Sequence, residues 1–327
     1  MTTRREVLRH AARLAPLLTA GAAWPQAPAQ ARVAWVSPFS AADGALFYEG
    51  LRQGLREAGY VEGRSLSLQA YWGDDSGALT EKVAIDAAAS RPQVIVAQGV
   101  AAFAARRAAP SLPIVFGYSG DPVLAGLTKS FANPGGNLTG VSFMTLDLVG
   151  KRMQLLKETL PKIKRVAVVS FPQHPGDHIE RRVSQLAADT LGLALDFLEA
   201  RDAAELLFAL ALIEKSDSEA VVLFPVQTVI ARRELIAQWS LRNRIPAMSG
   251  WSQFADAGNL MTYGPNLQAA CHRLAYFVDR ILKGAKPADL PVEQPVRIEF
   301  VLNARTAKAM GIKIPPAIRL RADRIIE

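Results

Sequence analysis

Arg32-Val33-Ala34-Trp35-Val36-Ser37 returns later in the chain as Arg165-Val166-Ala167-Val168-Val169-Ser170, and each copy opens a series of short apolar runs alternating with helix-like stretches. Continuous apolar runs rich in β-branched residues suit parallel strands covered on both faces by helices. A second pair supports the duplication, since Val94-Ile95-Val96-Ala97 and Ala220-Val221-Val222-Leu223-Phe224 lie at comparable depth after the two openings. The pattern predicts two similar α/β lobes. Two lobes enclose a cleft, and ligands of open parallel sheets gather at the carboxyl ends of the strands.

The chain has 327 residues, half of them hydrophobic and 21% charged, which supplies two cores and argues against bulk disorder. Residues 1–31 read as a cleaved export signal. They combine the twin arginine Arg4-Arg5, a short apolar stretch from Leu14 to Ala23, and the small-x-small sequence Ala29-Gln30-Ala31. That apolar stretch is too short to span a bilayer comfortably. The expected compartment is the periplasm, reached by the twin-arginine or the general secretory route. Without this segment, which holds four arginines and one glutamate, the formal net charge falls from +8 to +5. The remaining basic residues are dispersed among acids, as in Arg52, Arg56 and Glu57, so no nucleic-acid partner is expected. Cys271 is the single cysteine and forms no internal disulfide.

The spacing predicts helices over 44–58, 79–89 and 100–109 among strands at 66–68, 94–97, 114–116 and 138–143. A second series follows, with helices over 148–160, 179–191, 203–215 and 231–242 and strands at 166–169, 193–197 and 221–224. A strand-like start at Ala247-Met248, a loop carrying Trp251 and Phe254, a strand at 260–262 and a long helix over 267–283 come next. Pro287, Pro291 and Pro295 then punctuate a linker. We expect the chain to pass between lobes near Ser142, again near Ala247 and again near Pro295. The N-terminal lobe would then hold 32–141 plus 248–294, and the C-terminal lobe 142–247 plus 295–327.

The loops after the strands carry small hydroxyl, amide and aromatic groups rather than catalytic ones. Candidate ligand-binding residues are Ser37, Phe39, Gln98, Gly99, Ser119 and Asp121 from the first series. Phe171, Gln227, Thr228 and Trp251 come from the rest of the chain. Hydroxyls and free amides at helix starts suit a carboxylate, an aspartate suits an ammonium, and either also serves as a helix cap. Pro175-Gly176 breaks the helix face that a metal site at His174 and His178 would need, so that segment reads as an exposed loop. Adjacent Cys271 and His272 diverge on a helix and make no nucleophile–base pair. No glycine fingerprint for a dinucleotide or a P-loop is present. No catalytic residue, metal or cofactor is therefore expected.

The mature chain is similar throughout to exported substrate-binding proteins of ABC transporters, in the branch with tryptophan- and tyrosine-type binding proteins. The resemblance is carried by Gly59-Tyr60-Val61-Glu62-Gly63-Arg64, by Pro113-Ile114-Val115-Phe116 with Gly120-Asp121-Pro122-Val123, and by Asn133 to Gly140. Met261-Thr262-Tyr263-Gly264-Pro265 and Ile281 to Pro295 extend it. It implies the type I periplasmic binding protein fold, two Rossmann-like parallel-sheet lobes joined by three hinge crossings. It also implies ligand contacts in the loops at 98–101, 119–121 and 226–228. Amino-acid-binding members have a Thr-Asp-Asn-Thr-like sequence in the last loop, whereas this chain has Val226-Gln227-Thr228 and lacks the acid.

The expected function is that of a monomeric solute-binding protein. It captures a small organic ligand, an amino acid or aromatic compound, by lobe closure and delivers it to an ABC permease in the inner membrane. Two alternatives remain. One is a sensing protein that presents its closed state to a membrane receptor, and the other is an exported α/β enzyme, for which no convergent acid, base and nucleophile is visible.

Overall fold

A computed structural model describes residues 30–143, 146–174, 176–295 and 297–327. The expected export signal lies outside them, apart from Gln30 and Ala31. The first lobe runs β1 (Ala31–Ser37), α1 (Ala41–Glu57), β2 (Leu66–Trp72), α2 (Gly77–Ala89), β3 (Val94–Gln98), α3 (Ala101–Ala108), β4 (Ile114–Tyr118) and β5 (Leu138–Ser142). Its five strands pair in the order β2-β1-β3-β4-β5, all parallel. Residues of β3, β4 and β5 are buried throughout, as helices on both faces require, while the edge strand β2 is largely half-buried or exposed. Ser40 and Ser76 cap α1 and α2 by accepting hydrogen bonds from Asp43 N and Leu79 N.

The second lobe opens with α4 (Val149–Thr159), β6 (Arg165–Ser170), α5 (Asp177–Leu191), β7 (Ala194–Glu199), α6 (Ala203–Glu214) and β8 (Ala220–Leu223). It continues through α7 (Gln227–Ala231), α8 (Arg233–Asn243), β9 (Ala247–Ser249), α9 (Ser252–Asp256) and β10 (Met261–Pro265). The chain then crosses into α10 (Leu267–Leu282), which packs on α1 of the first lobe. That packing is close because α1 offers Gly50 and Gly54. A β-carbon on them would lie 2.6 Å from Gln268 O and 2.5 Å from His272 O. After the linker come β11 (Ile298–Asn303), α11 (Ala304–Met310), α12 (Pro316–Arg321) and β12 (Arg324–Ile326), back in the second lobe.

Seven strands form the second sheet, in the order β12-β11-β10-β9-β8-β6-β7. This corrects the expected return to the first lobe at 248. β9 and β10 stay in the second sheet, with Met261 opposite Met248, and the crossing falls between Pro265 and Leu267. A strand of three residues such as β9 carries no local sign of which sheet it joins. One pair also departs from the all-parallel expectation. The chain re-enters at the cleft end of β10, with Ile298 opposite Pro265, so β11 must run back along it antiparallel. The crossings lie side by side: Glu293 bridges to Val141, and Ser142 N donates to Glu293 O at 2.9 Å.

Candidate functional site

The carboxyl ends of β1, β3, β4, β6, β8 and β9 meet between the lobes and enclose a cavity of about 400 Å³. Phe39, Gln98, Gly99 and Ser119 line it from the first lobe. Phe171, Gln227, Thr228 and Trp251 line it from the second. Two expected residues are not on its wall. Ser37 is fully buried behind it, where its Oγ accepts from Phe39 N at 3.2 Å and donates to Gln98 Oε1 at 2.8 Å. Asp121 is turned away, with Oδ1 accepting from Val123 N at 2.7 Å and Leu124 N at 3.0 Å, which is the capping role of an Asp-Pro turn.

Sequence reasoning missed much of the wall, three rings above all. Phe103 and Phe143 join Phe39, Phe171 and Trp251 to make the lining strongly aromatic. Phe103 falls within the helix expected over 100–109, and Phe143 at the end of the strand expected over 138–143. The third is His174, placed in an exposed loop by its neighbours Pro175 and Gly176. Its ring instead stacks on Tyr118 across the cleft, at 5.7 Å between centroids and 15° between planes. Its Nδ1 accepts from Gly176 N at 3.3 Å, so the neutral imidazole carries its proton on Nε2 and donates to Ser119 Oγ at 3.1 Å. Desolvation pushes the imidazole pKa down to about 4, which keeps it neutral. No sequence signal marked this residue, because its role arises from the second lobe meeting the first.

Further bonds tie the lobes together. Gln227 Nε2 donates to Pro38 O at 2.8 Å and also to Asp75 Oδ1. Arg233 pairs with Asp43 at 2.9 Å, with both side chains about a quarter exposed. Ile230 and Trp251 of the second lobe pack in one apolar cluster with Phe39, Phe47 and Leu267 of the first. The cavity adjoins a second chamber of about 360 Å³, with Thr80, Val100 and Thr228 lining both. Below it, Arg152 lies buried beside Glu180 at 3.7 Å and donates from Nε to Tyr263 O at 2.8 Å, which binds the start of α4 to the end of β10. Burial pushes the Glu180 carboxyl upward against the pull of Arg152.

Cys271 is fully buried, with its thiol pushed up to about 12 by desolvation, and lies off the cavity wall. Among the described residues no three His, Cys, Asp or Glu side chains are placed to hold a metal ion. No helix among them is long and apolar enough to cross a membrane.

Residues 33–326 match the family described as ABC transporter substrate binding protein. A tyrosine-binding protein of Clostridioides difficile is 24% identical over 281 residues, which covers 85% of this chain and 78% of that protein. Among solved structures, a conserved domain protein of Vibrio cholerae shares 27% identity at a TM-score of 0.85, covering 90% of this chain and 99% of that one. An ABC domain from Streptococcus pneumonia in complex with L-Trp shares 20% identity at a TM-score of 0.84, over 91% of this chain and 100% of that one. The ligand-free, open structure of a substrate binding protein from Clostridium difficile, also 20% identical, matches at 0.67 over 91% of this chain and 99% of that one.

Proposed function

The chain belongs to the family of ABC transporter substrate-binding proteins, and on that footing we propose that it is an exported, monomeric receptor that closes its two lobes around a small organic solute and hands it to an inner-membrane permease. It performs no reaction on the solute. The observation that carries this reading is the composition of the cavity wall. Each lobe alone supplies an open face, and only apposition of Phe39, Gln98 and Ser119 with Phe171, Thr228 and Trp251 makes an enclosure. A site assembled from two bodies couples binding to their approach, because ligand contacts with the far lobe exist only when the cleft is shut.

The bonds from Gln227 to Pro38, Arg233 to Asp43 and His174 to Ser119 support a closed arrangement in this structure. So does the closer match to the Trp-bound relative than to the open one. A cavity of about 400 Å³ is the size of a small metabolite with one or two rings. Native mass spectrometry of the protein purified from its own source tests the reading. A small molecule that stays bound to the folded chain and is lost on unfolding is expected, and turnover of that molecule on incubation would overturn it.

A further inference from the structure

The inner cavity is aromatic, yet it holds one built polar seat. Ser37 accepts from Phe39 N, and its remaining hydroxyl hydrogen goes to Gln98 Oε1. That bond fixes which way round the Gln98 amide stands and leaves its NH2 group with no partner among the described residues. Gln98 is 4% exposed and its side chain lines the cavity. One step along the chain, α3 begins with no side-chain cap, and the amides of Val100 and Ala101 find no acceptor among the described residues. A helix start with free amides attracts a carboxylate, and here a buried amide donor two residues before it lines the same cavity.

The charged groups around the cleft complete the argument. Glu81, the carboxylate on the inner wall, is paired with Arg107. Asp75 takes the Gln227 amide and lies 3.8 Å from Arg232, Asp202 caps α6, and Asp121 caps its own turn. Every nearby carboxylate is thus engaged, and His174 is neutral. An ammonium group entering the cavity would lose its water and find on the inner wall no carboxylate other than Glu81, which Arg107 already holds, and that is unfavourable.

Resting on the solute-binding reading above, we propose that the ligand is an aromatic carboxylic acid without an ammonium group. Its carboxylate sits at the start of α3 under Gln98, and its ring lies among the cavity aromatics. The test is calorimetry with matched probes: indole-3-propionate against L-tryptophan, 3-(4-hydroxyphenyl)propionate against L-tyrosine, and 3-methylindole as the ring alone. Each desamino acid is expected to bind about tenfold tighter than its amino acid or more, and indole-3-propionate to exceed 3-methylindole by a similar factor. Gln98→Glu keeps an oxygen for Ser37 and replaces the NH2 donor by an anionic oxygen. It should weaken both acids by about a hundredfold more than it weakens 3-methylindole, a split that loss of structure would not produce. Equal or tighter binding of the amino acids, or full acid affinity in Gln98→Glu, overturns the proposal. So does failure of every probe, and there native mass spectrometry separates the two readings. A retained molecule of other chemistry leaves solute binding standing, and a bare polypeptide removes both.

Discussion

The Arg233–Asp43 pair offers a way to weigh lobe closure apart from ligand contact. It joins α8 to α1 across the mouth, and neither residue is on the cavity wall. A buried charge-assisted hydrogen bond contributes about 1.5–3 kcal/mol, and an exposed ion pair about 0–1. With side chains 25% and 23% exposed and a contact of 2.9 Å, the pair falls between these limits. About 1–2 kcal/mol is the resulting figure, which corresponds to about 5- to 30-fold in the closing equilibrium. Arg233→Gln should therefore weaken solute binding by at least that factor. Arg233 also donates to Ile230 O and pairs with Glu234, so the single variant removes more than the latch. A double-mutant cycle with Asp43→Asn isolates the interlobe contribution. The cycle would be run by calorimetry with the tightest-binding aromatic probe at low and at high salt. A coupling of about 1–2 kcal/mol that shrinks with salt is expected. A coupling indistinguishable from zero would refute the view that this contact belongs to the working closed state.

Other consequences can be measured separately. Arg152→Ala leaves Glu180 buried without its partner and should cost about 3–5 kcal/mol of unfolding free energy in urea, most of it returned by adding Glu180→Leu. The His174 pKa is lowered from 6.5 to about 4 in the closed form, so opening favours proton uptake. Solute affinity should be full above pH 6.5 and fall toward pH 4, by up to ~1.4 kcal/mol per unit, and His174→Gln should flatten this profile. Asp121→Asn should lower the melting temperature while leaving solute affinity intact, since both bonds of Oδ1 stay within its own turn. A drop in affinity with unchanged melting would show that Asp121 reaches the ligand.

Much of the architecture was legible because buried parallel strands write themselves as apolar runs. The duplicated openings at Arg32 and Arg165 became β1 and β6, at equivalent places in two sheets. Helix positions were legible to within about two residues, as with 79–89 for α2 and 179–191 for α5, while the Ser76 cap that starts α2 two residues earlier was not. Lobe assignment after residue 247 was not legible, because it depends on pairings such as Thr262 with Ser249, which no local pattern encodes. The cavity loops were legible as strand ends. The Ser37 hydroxyl was read as a ligand contact, and only its buried bond to Gln98 shows it to act from behind the wall. His174 shows the opposite failure. A histidine beside proline and glycine carries the signature of an exposed loop, and the ring is held instead by Tyr118 and Ser119 on the other lobe.

The central claim is that a solute brings the two lobes together, and an interlobe distance tests it most directly. Cys271 is fully buried, so spin labels on Lys82→Cys of α2 and Leu207→Cys of α6 would report only from the introduced, exposed positions on helices that flank the mouth. Pulsed electron resonance should give a long or broad distance distribution after the protein is unfolded, stripped and refolded. Adding back the molecule released on unfolding should collapse that distribution to one short distance that matches this structure. Superimposable distributions with and without the bound solute would contradict the account.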